Sequence, residues 1–209
     1  MEILGFIVTV VLITASGALA PGPLFFATIS HGTKSGAKTG LIFSVAHTLV
    51  EFSLIMLLAL GLLAISNQTT VKTTIGVAGG IALICFGLFQ IYKTFKDNPE
   101  KQKQKAPSFH HLFFIGFILT ALNPYFILWW LTAGAKLIIL SLEFAAFAGV
   151  IFMFICHVWM DYAWLTSVAY FSKKGTNALG SKWYKSLMII FGIILVYFGV
   201  SFIYDALIA

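Results

Sequence analysis

GIALICFGLFQIY, residues 80–92, returns 112 residues later as GIILVYFGVSFIY, residues 192–204, with Gly, Ile, Leu, Phe, Gly, Ile and Tyr in register. Both copies lie in apolar runs near the ~20 residues that a helix needs to cross a hydrocarbon core. Two more correspondences keep the same order. HTLVE, from His47 to Glu51, and HVWMD, from His157 to Asp161, are offset by 110 residues. ALAPGP ending at Pro23 and TALNP ending at Pro124 are offset by 101. Three matches in one order argue for a duplicated chain.

The composition sets the medium. Hydrophobic residues make up 60% of the 209 residues and charged ones 10%, and residues 3–30 (interrupted), 40–65, 71–92, 112–132, 144–171 and 187–209 read as six spans. The expected class is all-α, a polytopic membrane protein with six transmembrane helices. Residues 1–209 form a single membrane transporter domain: 1–95 as one three-helix repeat, 96–109 as a cytoplasmic linker, and 110–209 as the second repeat. Three spans per repeat is an odd number, so the second copy inserts upside down. That is the inverted-repeat plan of secondary transporters, whose substrate sites lie near the midplane between the repeats. The first span has Glu2 and no Lys or Arg before it, so it reads as a permanent span rather than a cleaved signal. Cys85 and Cys156 fall inside spans and read as packing residues, with no disulfide framework implied.

Lysine supplies the orientation, because the chain has no arginine. The loops after spans 1, 3 and 5 hold eleven lysines, and the other side holds two, Lys72 and Lys136. The positive-inside rule puts the lysine-rich loops in the cytoplasm, both termini outside, and the chain in the plasma membrane as a multi-pass protein. The net charge of +6 is thus a topology signal. No folded basic module is present to read nucleic acid. The polar stretch KTFKDNPEKQKQKAP, residues 93–107, reads as a solvated cytoplasmic linker, with contact to anionic lipid headgroups as the alternative.

The repeated His and acid pairs are the candidate site. Ionisable groups inside a membrane are rare, face an interior or a cavity, and mark substrate or proton pathways. At 1.5 Å per residue, Glu51 lies about 16 Å and Asp161 about 15 Å from the cytoplasmic side. The two acids therefore share one depth. A spacing of four puts His47 with Glu51, and His157 with Asp161, on one helix face each. The plainer alternative is a neutral acid paired with a neighbouring histidine as a packing contact; equivalent placement in both halves weighs against it for the acids more than for the histidines.

Prolines mark a second element. Pro21-Gly22-Pro23 must break the first span, and Asn123-Pro124 interrupts the fourth, since proline lacks an N–H and disfavours helix at the residue before it. Each proline suits the first turn of a new helix, whose free N–H groups and positive dipole end can hold an anionic substrate group. The alternative is a structural kink. Trp164 follows Asp161 by three positions and is placed to wall a pocket beside it; the other tryptophans, Trp130 among them, read as belt or core. Gly76 and Gly80 form a GxxxG pair, a feature of helix pairing between copies in a homodimer and, more often, of packing within one chain.

APGPLFFATISHGTKSGAKTGLIFSVAHTLVEF, the six-span layout and ALNPYFILWW together resemble the lysine-exporter (LysE/RhtB) family over nearly the whole chain. The resemblance carries over to Pro21, Gly22, Pro23, Gly40, Glu51, Asn123 and Pro124. It implies export of amino acids or related small metabolites driven by the proton gradient. His47 and His157 do not belong to the family pattern as it is carried over here. With Glu51 and Asp161 they form a mixed N/O set, so a divalent metal-ion exporter is the alternative reading. No HExxH motif or nucleophile elbow occurs, and an enzyme is not expected. Expected partners are a small-molecule substrate, protons and the lipid bilayer, with no cofactor and no nucleic acid.

Overall fold

The structure, a computed structural model, describes residues 2–61, 69–96, 107–131 and 133–208. Most of the expected 96–109 linker and the end of the second expected span lie outside them. The elements are α1 (Ile3–Ala18), α2 (Pro23–Ser35), α3 (Ala37–Ala59), α4 (Thr69–Lys96), α5 (Phe109–Ala121), α6 (Pro124–Leu131) and α7 (Ala133–Ile208). Helix is the form in which one apolar segment satisfies its own backbone in lipid. Large apolar side chains are exposed on α1, α3, α4, α5 and α7, including Leu12, Leu49, Phe89, Phe114 and Ile155. On a membrane protein that is the surface lipid wets.

By length and composition, Ala37–Ala59 and Pro124–Gly175 each suffice to cross a membrane, and α1 with α2, bent by 71° at their break, makes a third segment. The bend sits where Pro21, Gly22 and Pro23 require it. Gly36, between α2 and α3, has φ 60, a left-handed turn that glycine adopts without steric cost.

Small residues then let helices touch. A Cβ on Gly32 would stand 2.7 Å from the Ala169 Cα, and one on Gly40 would stand 2.5 Å from the Thr166 Cα and meet the Leu165 carbonyl. α2 and α3 therefore lie directly on the middle of α7. The quoted repeats also pack on each other: the Gly80 Cβ position lies 2.6 Å from the Gly199 carbonyl and the Gly199 position 2.6 Å from the Gly80 carbonyl. Gly87 and Gly192 face each other in the same way, at 2.6 and 3.0 Å. Gly80 is thus occupied within the chain.

α7 is not straight. Ser141 and Gly149 would be about 12 Å apart along an ideal helix, yet a Cβ on Gly149 would collide with the Ser141 carbonyl, and between them Ala146 has φ 49. Further on, Leu165 and Phe202 would be about 55 Å apart if the helix ran on. Both pack in one cluster with Leu24, Ala27, Phe43 and Leu83, so the chain turns back between them. A loop was expected at 133–143; the structure makes it helix. Its apolar run buries Leu137 and Ile138 against Phe6, Val10, Ile55 and Leu58, while Lys136, a good helix former, stays exposed on the opposite face.

Candidate functional site in the helix core

α3 and α7 meet back to back at Gly40, and this contact brings their acids together. One turn along α3, the Ser44 hydroxyl accepts no side-chain partner but donates within its own helix to the Gly40 carbonyl at 2.9 Å and lies 3.2 Å from the Asp161 carbonyl. Two turns further along α3 comes Glu51; it and Asp161 of α7 are 4% and 5% exposed. His47 Nε2 lies 3.5 Å from Glu51 Oε1 and 3.9 Å from Asp161 Oδ1. His157 Nε2 lies 3.6 Å from Glu51 Oε2. All four groups converge, but not as two symmetrical pairs. His157 turns to the acid of α3, held edge-on between Trp130 and Phe154 at 5.6 and 5.3 Å.

Beside the acids is a cavity of about 90 Å³. One water needs about 10–15 Å³ of such space, so the cavity is large enough for several waters or a small solute. His47, Glu51, Asp161, Gly22, Asn123 and Trp164 all line it. Pro21, Pro23, Pro124 and His157 do not belong to its lining; Pro21 is exposed, Pro23 and Pro124 are buried, and His157 is fully buried behind Glu51.

The two helix breaks lie side by side, with the Cβ position of Gly22 3.8 Å from Asn123 Nδ2. They differ in one respect. The Asn123 carboxamide oxygen accepts from the Tyr125 N–H at 3.1 Å and so caps α6, whereas Gly22 offers α2 no side-chain cap. The expectation of uncapped N–H groups at both breaks is met differently at α6, where the Asn123 side-chain oxygen takes one of the free N–H groups. At α2 the first turn, with Leu24 and Phe25 on the cavity, keeps donors that no cap covers.

Three contributors were not singled out by sequence reasoning. Trp130, assigned to belt or core, donates its Nε1–H to Glu51 Oε1 at 3.2 Å. The usable signal was physical: a buried indole N–H needs an acceptor, and Trp130 lies six residues beyond Pro124 in the interrupted span. Thr120 lies 3.2 Å from His47 Nδ1. Thr14 is buried on the cavity wall, and no local pattern marks it.

Chemically, the site offers carboxylate oxygens to a cation. Glu51 Oε2 and Asp161 Oδ2 are buried and have no hydrogen-bond partner. One ligand atom each from His47, Glu51 and Asp161 falls within 4.8 Å of the others, a spacing that suits a small cation. His157 is not in that group, so the four-ligand set of the metal reading reduces to three.

Comparison with known proteins places the chain. No curated protein and no solved structure matches it. The family model described as LysE type translocator matches residues 15–206, nearly the full length. The resemblance read from the PGP break, the acid of the second span and the NP break is therefore correct, and the chain belongs to the LysE type translocator family of membrane translocators.

Proposed function

We propose that the protein exports an amino acid or a related small metabolite across the plasma membrane in exchange for protons, from a midplane site between two inverted three-helix repeats. One observation carries this reading: a cavity in which Glu51 and Asp161, from two helices, stand beside His47, with Asp161 Oδ2 buried and without a hydrogen-bond partner among the described residues and Glu51 Oε2 meeting only the His157 ring, at 3.6 Å. Buried carboxylates need a cation or a proton. In the cytoplasm-facing state the substrate ammonium sits between Glu51 and Asp161, while its carboxylate faces the uncapped start of α2. Protons arriving from outside take the ammonium's place and release it.

Family membership supports export as the direction of transport. The reciprocal approach of Gly80 to Gly199 and Gly87 to Gly192 supports the inverted repeat, since a two-fold axis in the membrane plane exchanges those two contacts. In this layout the termini face outward, as the lysine asymmetry implies.

The test is efflux from loaded proteoliposomes under an imposed pH gradient. Efflux should follow the gradient and collapse in Glu51→Gln with Asp161→Asn; unchanged efflux from the double variant would remove the acids from the mechanism. A divalent cation is a second cargo, favoured by the three ligand atoms within 4.8 Å. Titration calorimetry of the purified protein separates the two: heat with an amino acid supports the first reading, and heat with Mn or Zn alone supports the second.

A further inference from the structure

We infer that the cavity is built for an amino acid with one ammonium group and an uncharged side chain, and that Thr14 and Trp164 are contacts that select it. The inference rests on the amino-acid export reading and goes beyond it, because family membership leaves the side chain open.

The two acids make one subsite. Their ligand atoms and that of His47 lie within 4.8 Å of each other, and charge-assisted N–H···O contacts are about 2.8 Å long. A single ammonium between the carboxylates thus reaches both. Among the described residues that line the cavity Glu51 and Asp161 are the only acids, and the remaining wall includes groups such as Ala18, Leu24, Phe126 and Trp129. A second ammonium, as on lysine, would be stripped of water against that wall with no carboxylate to meet it. The attraction of a ring face for a cation is weaker than the cost of that desolvation.

Among the described residues Thr14, Ser35 and Thr166 leave a buried hydroxyl without a hydrogen-bond partner, and of these three only Thr14 lines the cavity. Thr9, Thr28, Ser44, Ser53, Thr120 and Ser141 each donate to the carbonyl four residues back on their own helix. Thr14, 3% exposed and on the cavity, leaves Oγ1 without a partner. Trp164 does the same with its indole N–H, which is buried and unpartnered. Its ring stacks on Phe25 at 5.9 Å, beside the uncapped first turn of α2. Leaving buried donors unmet is costly unless a ligand meets them. Thr14 and Trp164 line the same cavity as the two carboxylates, and a hydroxyl and an indole N–H beside two acids complement a molecule with donors at one end and an acceptor at the other. Thr14 and Trp164 take the substrate carboxylate, and the acids take its ammonium.

The test loads proteoliposomes with leucine, serine or lysine at equal concentration and follows efflux. Leucine or serine should leave at least about tenfold faster than lysine. Thr14→Val, which keeps the shape and removes the hydroxyl, and Trp164→Phe should each raise KM for the neutral amino acid by about fivefold to tenfold, the size expected of one neutral hydrogen bond. Thr14→Ser should restore it. Size-exclusion profiles report folding, and Thr14→Ala replaces the valine variant if that one misfolds. Lysine leaving as fast as leucine, or KM unchanged in folded Thr14 and Trp164 variants, overturns the inference and leaves amino-acid export standing. If none of the three amino acids leaves, the inference and the export reading fall together.

Discussion

The Thr120 hydroxyl has one hydrogen, and its bond to the Gly116 carbonyl at 2.8 Å uses it. Toward His47 Nδ1, 3.2 Å away, the same oxygen can only accept. With the hydroxyl hydrogen given to Gly116, Nδ1 carries the proton, and in a neutral imidazole Nε2 then turns its lone pair toward Glu51 and Asp161. A lone pair facing carboxylate oxygens is repulsive unless a proton or a cation lies between them. Thr120→Val removes the acceptor and should slow efflux about fivefold, the effect of ~1 kcal/mol, while Thr120→Ser should restore the rate. An unchanged valine variant would detach Thr120 from the site. Trp130→Phe should cost more, about tenfold or above in efflux rate, because its N–H serves a carboxylate and such bonds contribute ~1.5–3 kcal/mol. The acids themselves were legible, since charge inside an apolar run has few structural excuses. Their supports were not. Trp130 and Glu51 lie 79 positions apart, and no local pattern encodes that meeting.

Helix breaks and helix crossings divided differently between sequence and structure. Both breaks were readable because proline imposes them whatever surrounds it. The capping difference between them was not, because Asn123 reads alike whether its side chain caps α6 or faces a ligand. The helix at 133–143 was missed for a related reason: its apolar residues do not reach spanning length, and only contact with Phe6, Val10 and Ile55 gives them a place. Crossings depend on residues that are nearly silent in sequence. Gly40 allows α3 to lie on the α7 backbone at Leu165 and Thr166, about one turn along α7 from Asp161 and three turns along α3 from Glu51. Gly40→Leu would force that contact apart at a cost of at least ~1–3 kcal/mol, the usual range for overpacking. It should lower the melting temperature in detergent and reduce efflux. A Gly40→Leu protein with an unchanged melting temperature would contradict the crossing.

The internal sequence similarity ties the last helical stretch of the chain to its middle. Residues 80–92 and 192–204 resemble each other and also pack on each other, Gly80 on Gly199 and Gly87 on Gly192. Two copies related by an axis in the membrane plane meet in this way, each segment offering its partner the same small residues in reverse order. The internal similarity was legible because both segments carry glycines at matching positions; the unequal contacts of His47 and His157 were not, because they depend on which side chains the fold sets beside each ring. An inverted pair of three-helix units fixes which loops share a side. Lys38 and Lys174, both exposed, should lie in the cytoplasm, and exposed Lys136 outside. With Cys85 and Cys156 replaced, single cysteines at positions 38, 136 and 174 can be probed with a membrane-impermeant maleimide. In intact cells only the cysteine at 136 should label, and opening the membrane should expose the other two. Labelling of 38 together with 136 in intact cells would place both on one face, which an odd number of spans per repeat forbids, and the inverted arrangement would fall with it.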